Sequence, residues 1–328
     1  MMLAFIVRRL LQAVVVMAVV AFVSFSLFQF VGDPVVAMLG QDATPEQRDD
    51  LRRALGLDEP IAVQFATFVK NAVRGDFGLS YRQGRKVSTL IQERLPATLE
   101  LSLAAAALAL LVGIPMGVYT ALRRKGVLAN LFLAVSLVGV SLPTFLIGIL
   151  LILVFAVLLG WLPSFGRGDT VDLGWWSTGL LTRDGWSHLI LPAITLCLFQ
   201  TTLIMRLVRS EMLEVLRTDY IKFARARGLP DRAVYFGHAL KNTLVPVITI
   251  TGLQLGAIIA FAIITETVFQ WPGMGLLFIQ SVQVADVPIM AAYLCLIALI
   301  FVTINLVVDL LYFVVDPRLR VERSGGGH

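Results

Sequence analysis

Cysteine, histidine and charge are all scarce in this chain. Of 328 residues two are Cys and three are His, and Asp, Glu, Lys and Arg together make up 15%, against about a quarter in soluble domains. Cys197 and Cys295 both sit inside apolar segments, where a thiol behaves as a small hydrophobe, so neither a disulfide framework nor a metal site is implied. His188, His238 and His328 are too scattered for a metal reading. No GxxxxGKS or GxxxxGKT phosphate loop occurs, which excludes an ATP site of that type within this chain. The absence of HExxH and GxSxG argues against a membrane protease.

What abounds is apolar surface. The hydrophobic fraction is 58% and the mean hydropathy +0.84, values of an integral membrane protein. A net charge of +5 does not point to nucleic acid, because the basic residues cluster beside apolar runs, as determinants of membrane topology do.

Arg8 and Arg9 precede a first uncharged run, 10–32, which is too long for a signal-peptide core and reads as a first span with its amino end inside. The stretch 33–95 is charged, with short helix signatures. Thr44, Pro45 and Gln47 form a capping-box start with a stop at Gly56, and after Pro60 the residues Ile61, Phe65, Phe68, Val69 and Val73 make one apolar stripe ending at Gly75. A second span covers 101–122, kinked at Pro115, and Arg123, Arg124 and Lys125 fix its end as cytoplasmic. The uncharged run 126–166 is either one helix with a re-entrant or surface tail, or two short spans hinged at Ser141, Leu142 and Pro143. Parity favours a single crossing, since two would carry Arg206, Arg209, Arg217, Lys222, Arg225, Arg227, Arg232 and Lys241 to the outside. Trp161, Trp175, Trp176 and Trp186 suit headgroup depth on the outer side. Further spans are expected over 189–205, 244–265 and 289–308, the last closed by Asp309, Asp316, Pro317, Arg318 and Arg320. The tail SGGGH is expected to be disordered.

Intramembrane polar residues call for a functional hypothesis. Asn305 and Asp309 share a helix face, and pairing with Arg206 or Arg209, or simple solvation at the inner end, is expected for Asp309. Gln200, Thr201, Thr202 and Gln254 either line a hydrated passage or bond neighbouring helices, the commoner use.

The polar stretch 219–246, DYIKFARARGLPDRAVYFGHALKNTLVP, interrupts the apolar pattern. Tyr220 to Arg227 reads as a short helix that Asp219 can cap and Gly228 closes, and a second helix is expected after Pro230, with Ala233, Phe236, Ala239 and Leu240 at helical spacing before Pro246. The ARARGL core, followed by HALKN and Pro246, resembles the cytoplasmic loop of bacterial ABC-importer permeases. Of that family's Glu-Ala-Ala…Gly motif, Ala224 and Gly228 match, and the peptide-transport branch is similar in using Ala224, Ala226 and Gly228 as small residues. GDPV, LGLDEP, GDFGLS and RLPATLEL resemble the external insertion of the first-named permease of dipeptide and oligopeptide importers, and ETVFQWPGMG and NLVVDLLY extend the likeness over almost the full length.

The resemblance implies an all-α integral membrane protein of about six transmembrane helices, with the type I ABC importer permease fold and a small external helical insertion. It divides the chain into a first helix (1–32), the insertion (33–97), a five-helix core (98–317) whose coupling loop is 210–244, and a cytoplasmic tail (318–328). It further implies a non-enzymatic transport subunit in the bacterial inner membrane with both termini cytoplasmic, importing di- or oligopeptides or a related ligand. Its partners would be a second homologous permease, two ATP-binding subunits that hold ATP and Mg, an extracytoplasmic substrate-binding protein and membrane lipid, with no nucleic acid and no cofactor or metal in this chain. The ATPase-coupling residues would be Asp219, Tyr220, Ala224, Arg225, Ala226, Gly228 and Leu229. Docking of the binding protein, or an external gate, would fall to Asp33, Pro34, Asp76, Phe77, Gly78, Glu266 and Trp271. The rival is a stand-alone proton-coupled secondary transporter with Asp309 or Glu266 as its proton site.

Overall fold

The computed structural model describes residues 2–30, 34–40 and 43–315. Asp33, and the expectations for Asp316, Pro317, Arg318, Arg320 and the tail, lie outside the described residues. The helices in chain order are α1 (Met2–Phe30), α2 (Pro34–Leu39), α3 (Pro45–Ala54), α4 (Ile61–Val73), α5 (Val87–Leu122), α6 (Val127–Ser141), α7 (Thr144–Leu151), α8 (Arg183–Val215), α9 (Asp219–Ala226), α10 (Leu240–Val268), α11 (Met274–Gln283) and α12 (Val287–Val315). π-Helical turns extend α7 (Ile152–Leu158) and precede α10 (Ala233–Ala239), and a hairpin of β1 (Val171–Asp172) and β2 (Ser177–Thr178) lies between α7 and α8.

Five of these helices are long and apolar enough to cross a membrane, and the α6–α7 pair makes a sixth if its two arms, bent by 112°, are counted as one span. The break falls at Leu142 and Pro143, where the pyrrolidine ring drives the preceding residue to extended backbone; Leu142 has ψ 138°. The chain makes one net crossing over this stretch. It leaves α5 at Leu122, yet Gly166 donates its N–H to the Phe269 carbonyl and Arg167 binds Glu100, both at the opposite end of the bundle.

α5 is longer at its start than its uncharged run suggested. It begins at Val87, so Glu93, Arg94 and Glu100 occupy its first turns, and one helix runs across the boundary drawn at residue 97. α5 and α8 form the central antiparallel pair. Their backbones close together at Gly113, beside Ile204 and the Thr201 carbonyl, and at Gly117, beside Val208 and the Met205 carbonyl. Around them Leu101, Ala105, Ala109, Leu196 and Met212 form a core in which small residues let helices approach closely.

The insertion has its own logic. The Thr44 side chain accepts from Gln47 N–H while the Gln47 side chain returns to the Thr44 N–H, the capping box read from the sequence. α4 turns Phe65 and Phe68 against Phe22, Phe25 and Phe28 of α1, whereas Ile61 and Val73, at the ends of its stripe, stay exposed. Phe68 also meets Phe77, which leads into a second core of Val87, Leu90, Met274, Leu277 and Ile289. α11, a ten-residue helix in that core, follows the turn that ends α10.

Candidate functional site

Two regions carry the candidate residues, one at each end of the bundle. At the end where α8 finishes, α9 makes a short cross-helix. Thr218, not Asp219, occupies its N-cap position, with φ −68° and ψ 155°, and makes no side-chain cap bond. Asp219 lies one residue inside, where its carboxylate accepts from Lys222 Nζ at 2.8 Å. That hydrogen bond and the ammonium charge hold the Asp219 carboxyl below the usual carboxylate range. The helix ends at Ala226, and Gly228, at φ +77°, makes the left-handed turn that a glycine there allows.

The helical repeat sorts α9 into two faces. Ile221 and Ala224 are buried in the core with Met212, Val234 and Ala239. Ala224 thus seats α9 on the chain's own core. Tyr220, Phe223 and Leu229 are exposed, Phe223 to 64%, and Arg225, Ala226 and Gly228 are exposed with them. Phe223 was not among the expected coupling residues; its three-residue spacing from Tyr220 was the signal available. The Arg227 guanidinium lies 5.8 Å from the Phe223 ring centroid and Arg225 5.9 Å from Tyr235, so cations flank the aromatic side chains. Asn242 Nδ2 donates to the Tyr220 hydroxyl at 2.6 Å, tying α9 to α10.

The helix expected after Pro230 is π-helical and runs straight into α10, and Pro246 lies inside α10 instead of bounding it. The wider turns explain why Phe236 is exposed although a 3.6-residue period placed it with buried Ala239.

At the opposite end, Glu266 and Trp271 are fully buried. Thr98 Oγ1 donates to Glu266 Oε1 at 2.6 Å, and Leu276 N–H donates to Oε2 at 2.9 Å, so the carboxylate caps the first turn of α11. Trp271 Nε1 donates to the Ala97 carbonyl at 2.9 Å. Both residues bolt the α10–α11 turn onto α5 and, being buried, expose no side-chain surface; of the two roles expected for them, an external gate is the one this position leaves. Asp76 accepts from Gly78 N–H at 3.0 Å and, like Gly78 with its φ of +79°, is exposed, while Phe77 is half-buried. Pro34 opens α2.

Two anchors at this end went unread in the sequence. Asp286 receives Ser80 Oγ at 2.5 Å and the Tyr81 and Arg82 N–H groups at 3.2 and 3.4 Å, so it pins the insertion to the start of α12. Arg167 binds Glu100 Oε2 at 2.6 Å, with side chains only 6% and 3% exposed, and also reaches the Ser177 carbonyl at 2.7 Å. Among the described residues Glu100 Oε1 is buried without a hydrogen-bond partner.

Inside the bundle, Asp309 pairs with Arg9 at 2.9 Å, not with Arg206 or Arg209, because α12 packs along α1. Thr202 Oγ1 donates across helices to the Ser136 carbonyl at 3.2 Å, and Thr201 bonds back to Cys197 of its own helix at 2.9 Å. Gln200 is buried and Gln254 half-buried.

Comparison with known proteins decides the family. The model described as "Binding-protein-dependent transport system inner membrane component" matches residues 113–321, and the corresponding N-terminal model matches 2–103. The chain belongs to this family of transport permeases. The permease is 39% identical to the dipeptide transport system permease protein DppB of Alkalihalophilus pseudofirmus, over 97% of this chain and 100% of that one. It is 36% identical to the glutathione transport system permease protein GsiC of Escherichia coli, over 98% and 100%. An inward-facing structure of the MetNI methionine ABC transporter aligns at a TM-score of 0.54 and 19% identity, covering 69% of the permease and 96% of that chain; at that identity it supports the fold alone. The permease is thus a multi-pass membrane subunit of an ABC importer, which displaces the stand-alone carrier reading.

Proposed function

We propose that this permease carries di- or oligopeptides, or a related small ligand, and that α9 is the knob through which a separate ATPase drives it. The observation that carries the coupling role is the division of α9: Ile221 and Ala224 lock it to the core, while Phe223 projects into solvent among Lys222, Arg225 and Arg227. An exposed aromatic ringed by cations suits a partner cleft of apolar floor and acidic rim. Because α9 is joined to α10 through Asn242 and Tyr220 and to α8 through the core, force on the knob reaches two spans directly.

The assembly proposed is a second homologous permease, two ATPases that hold ATP and Mg, and an extracytoplasmic binding protein received by the insertion, in which Asp33, Pro34, Asp76, Phe77 and Gly78 remain the candidates for docking or an external gate, with buried Glu266 and Trp271 as candidates for the gate. The setting proposed is the bacterial inner membrane with both termini cytoplasmic, with unit boundaries at 32, 97 and 317, the second of them falling inside α5. The cargo class rests on relatives named for dipeptide and glutathione transport.

Co-purification of the ATPase with the full chain tests the coupling role. Wild type is expected to retain it and Phe223→Ala to lose it, with both proteins unfolding at the same temperature in detergent. Retention of the ATPase by Phe223→Ala overturns the assignment of the knob. Uptake of a labelled dipeptide, with free amino acid as the control, tests the cargo independently.

A further inference from the structure

α1 lies at the edge of the molecule, and its long contact with α12 opens, near the amino end of α1, into a groove of about 610 Å³. The polar mouth is formed by Arg8, Arg9 and Gln12 of α1 facing Asn305 and Asp309 of α12. Beyond the mouth the walls turn apolar, with Leu11 and Val15 on one side and Phe301 and Val302 on the other. Leu11, Val15 and Phe301 are exposed.

Charge decides what such a groove can hold. Arg9 and Asp309 pair at 2.9 Å, their side chains 41% and 20% exposed, and so cancel each other. Arg8 makes no ion pair among the described residues and is exposed. Among the described residues the mouth therefore carries one uncompensated positive charge, with the Gln12 and Asn305 amides beside it as donors. An apolar slot capped by a single net cation and neutral donors complements one negative charge joined to long hydrocarbon. An entering protein helix would instead leave Arg8 facing apolar side chains, at a desolvation cost.

We propose that this groove binds one anionic phospholipid, its phosphate at Arg8, Gln12 and Asn305 and an acyl chain along Leu11, Val15, Phe301 and Val302. The lipid fills the seam between α1 and α12 and completes the packing of a helix whose other face meets bulk bilayer. This goes beyond the transport reading and does not depend on it: the groove needs only a bilayer leaflet at the level of Arg8.

Native mass spectrometry of the purified full chain tests the site, with phosphatidylglycerol and phosphatidylcholine offered in equal amounts. Wild type is expected to retain a single phosphatidylglycerol in preference to phosphatidylcholine. Arg8→Gln, which leaves the Arg9–Asp309 pair intact, is expected to lower retention about fivefold, the effect of one basic residue at an anionic lipid surface, and Arg8→Lys is expected to restore it. Equal retention of the two lipids, or no change in Arg8→Gln, overturns the proposal. Displacement of the lipid by millimolar glycerol phosphate also overturns it, since the apolar walls would then contribute nothing. In membranes holding the assembled transporter, a photoreactive side chain at Leu11 is expected to label lipid; labelling of a second polypeptide instead makes the groove a protein interface and sinks the lipid assignment.

Discussion

A Cβ built at Gly117 would lie 2.6 Å from Val208 Cβ and 2.8 Å from the Met205 carbonyl oxygen, and neither neighbour has a flexible end that can swing away. Gly117→Ala is therefore expected to push α5 from α8 and to cost about 1–3 kcal/mol. At Gly237 nothing lies within 4 Å and φ is not positive, so Gly237→Ala is expected to be neutral, and thermal unfolding in detergent distinguishes the two. The Glu100–Arg167 pair supplies the second test at this scale. Truncating Arg167 leaves a buried carboxylate whose Oε1 already lacks a partner among the described residues, and Arg167→Met is expected to destabilise this end of the bundle by about 3–5 kcal/mol. Adding Glu100→Gln removes the stranded charge and is expected to recover most of that loss. A double variant no more stable than Arg167→Met alone would mean that packing of the guanidinium, not charge pairing, anchors the β1–β2 hairpin to α5.

At the scale of elements, the proposed coupling role of α9 requires stability and coupling to separate within eight residues. Ile221 is fully buried, so Ile221→Ala is expected to cost about 2–5 kcal/mol, while Phe223→Ala is expected to change stability by under about 0.5 kcal/mol and yet to lose activation of the ATPase. Reconstituted ATPase rates beside unfolding temperatures check both halves; if Phe223→Ala unfolds the chain, the knob is part of the core. α9 was legible beforehand because its signals are local: Gly228 and the polar run lie within one turn of each other. The capping box at Thr44 was legible for the same reason, and the spans because apolar runs of membrane length announce themselves. The π-helical turns before α10 were not, since every periodicity argument assumes 3.6 residues per turn. The partners of Glu266 were not legible for a different reason. Its donor Thr98 stands 168 residues away, as Asp286 stands 206 from Ser80, and no pattern within one stretch of sequence reports a partner at that distance.

At the scale of the whole molecule, parity ties the elements together. α1 delivers the chain to the end where Phe25 meets Phe65, α5 returns it to Leu122, and the bent α6–α7 arm brings it back to Gly166, where Phe269 receives its N–H. α8 then crosses again and ends at α9. Residues near Lys125 and Lys222 must therefore share one side of the membrane, and those near Asp58 and Trp175 the other. Cys197 and Cys295 are both buried, so a single cysteine introduced at each of these four exposed positions can be read with a membrane-impermeant thiol reagent against little background. In intact cells the reagent is expected to label Asp58→Cys and Trp175→Cys, and in inverted vesicles Lys125→Cys and Lys222→Cys, as the basic run at Arg123, Arg124 and Lys125 requires of a cytoplasmic loop. Trp175→Cys is the decisive member of the set. Its labelling together with Lys125→Cys would mean that the 112° bend returns the chain to the side it came from, which would leave α8 running the other way and place the α9 knob out of reach of any cytoplasmic ATPase.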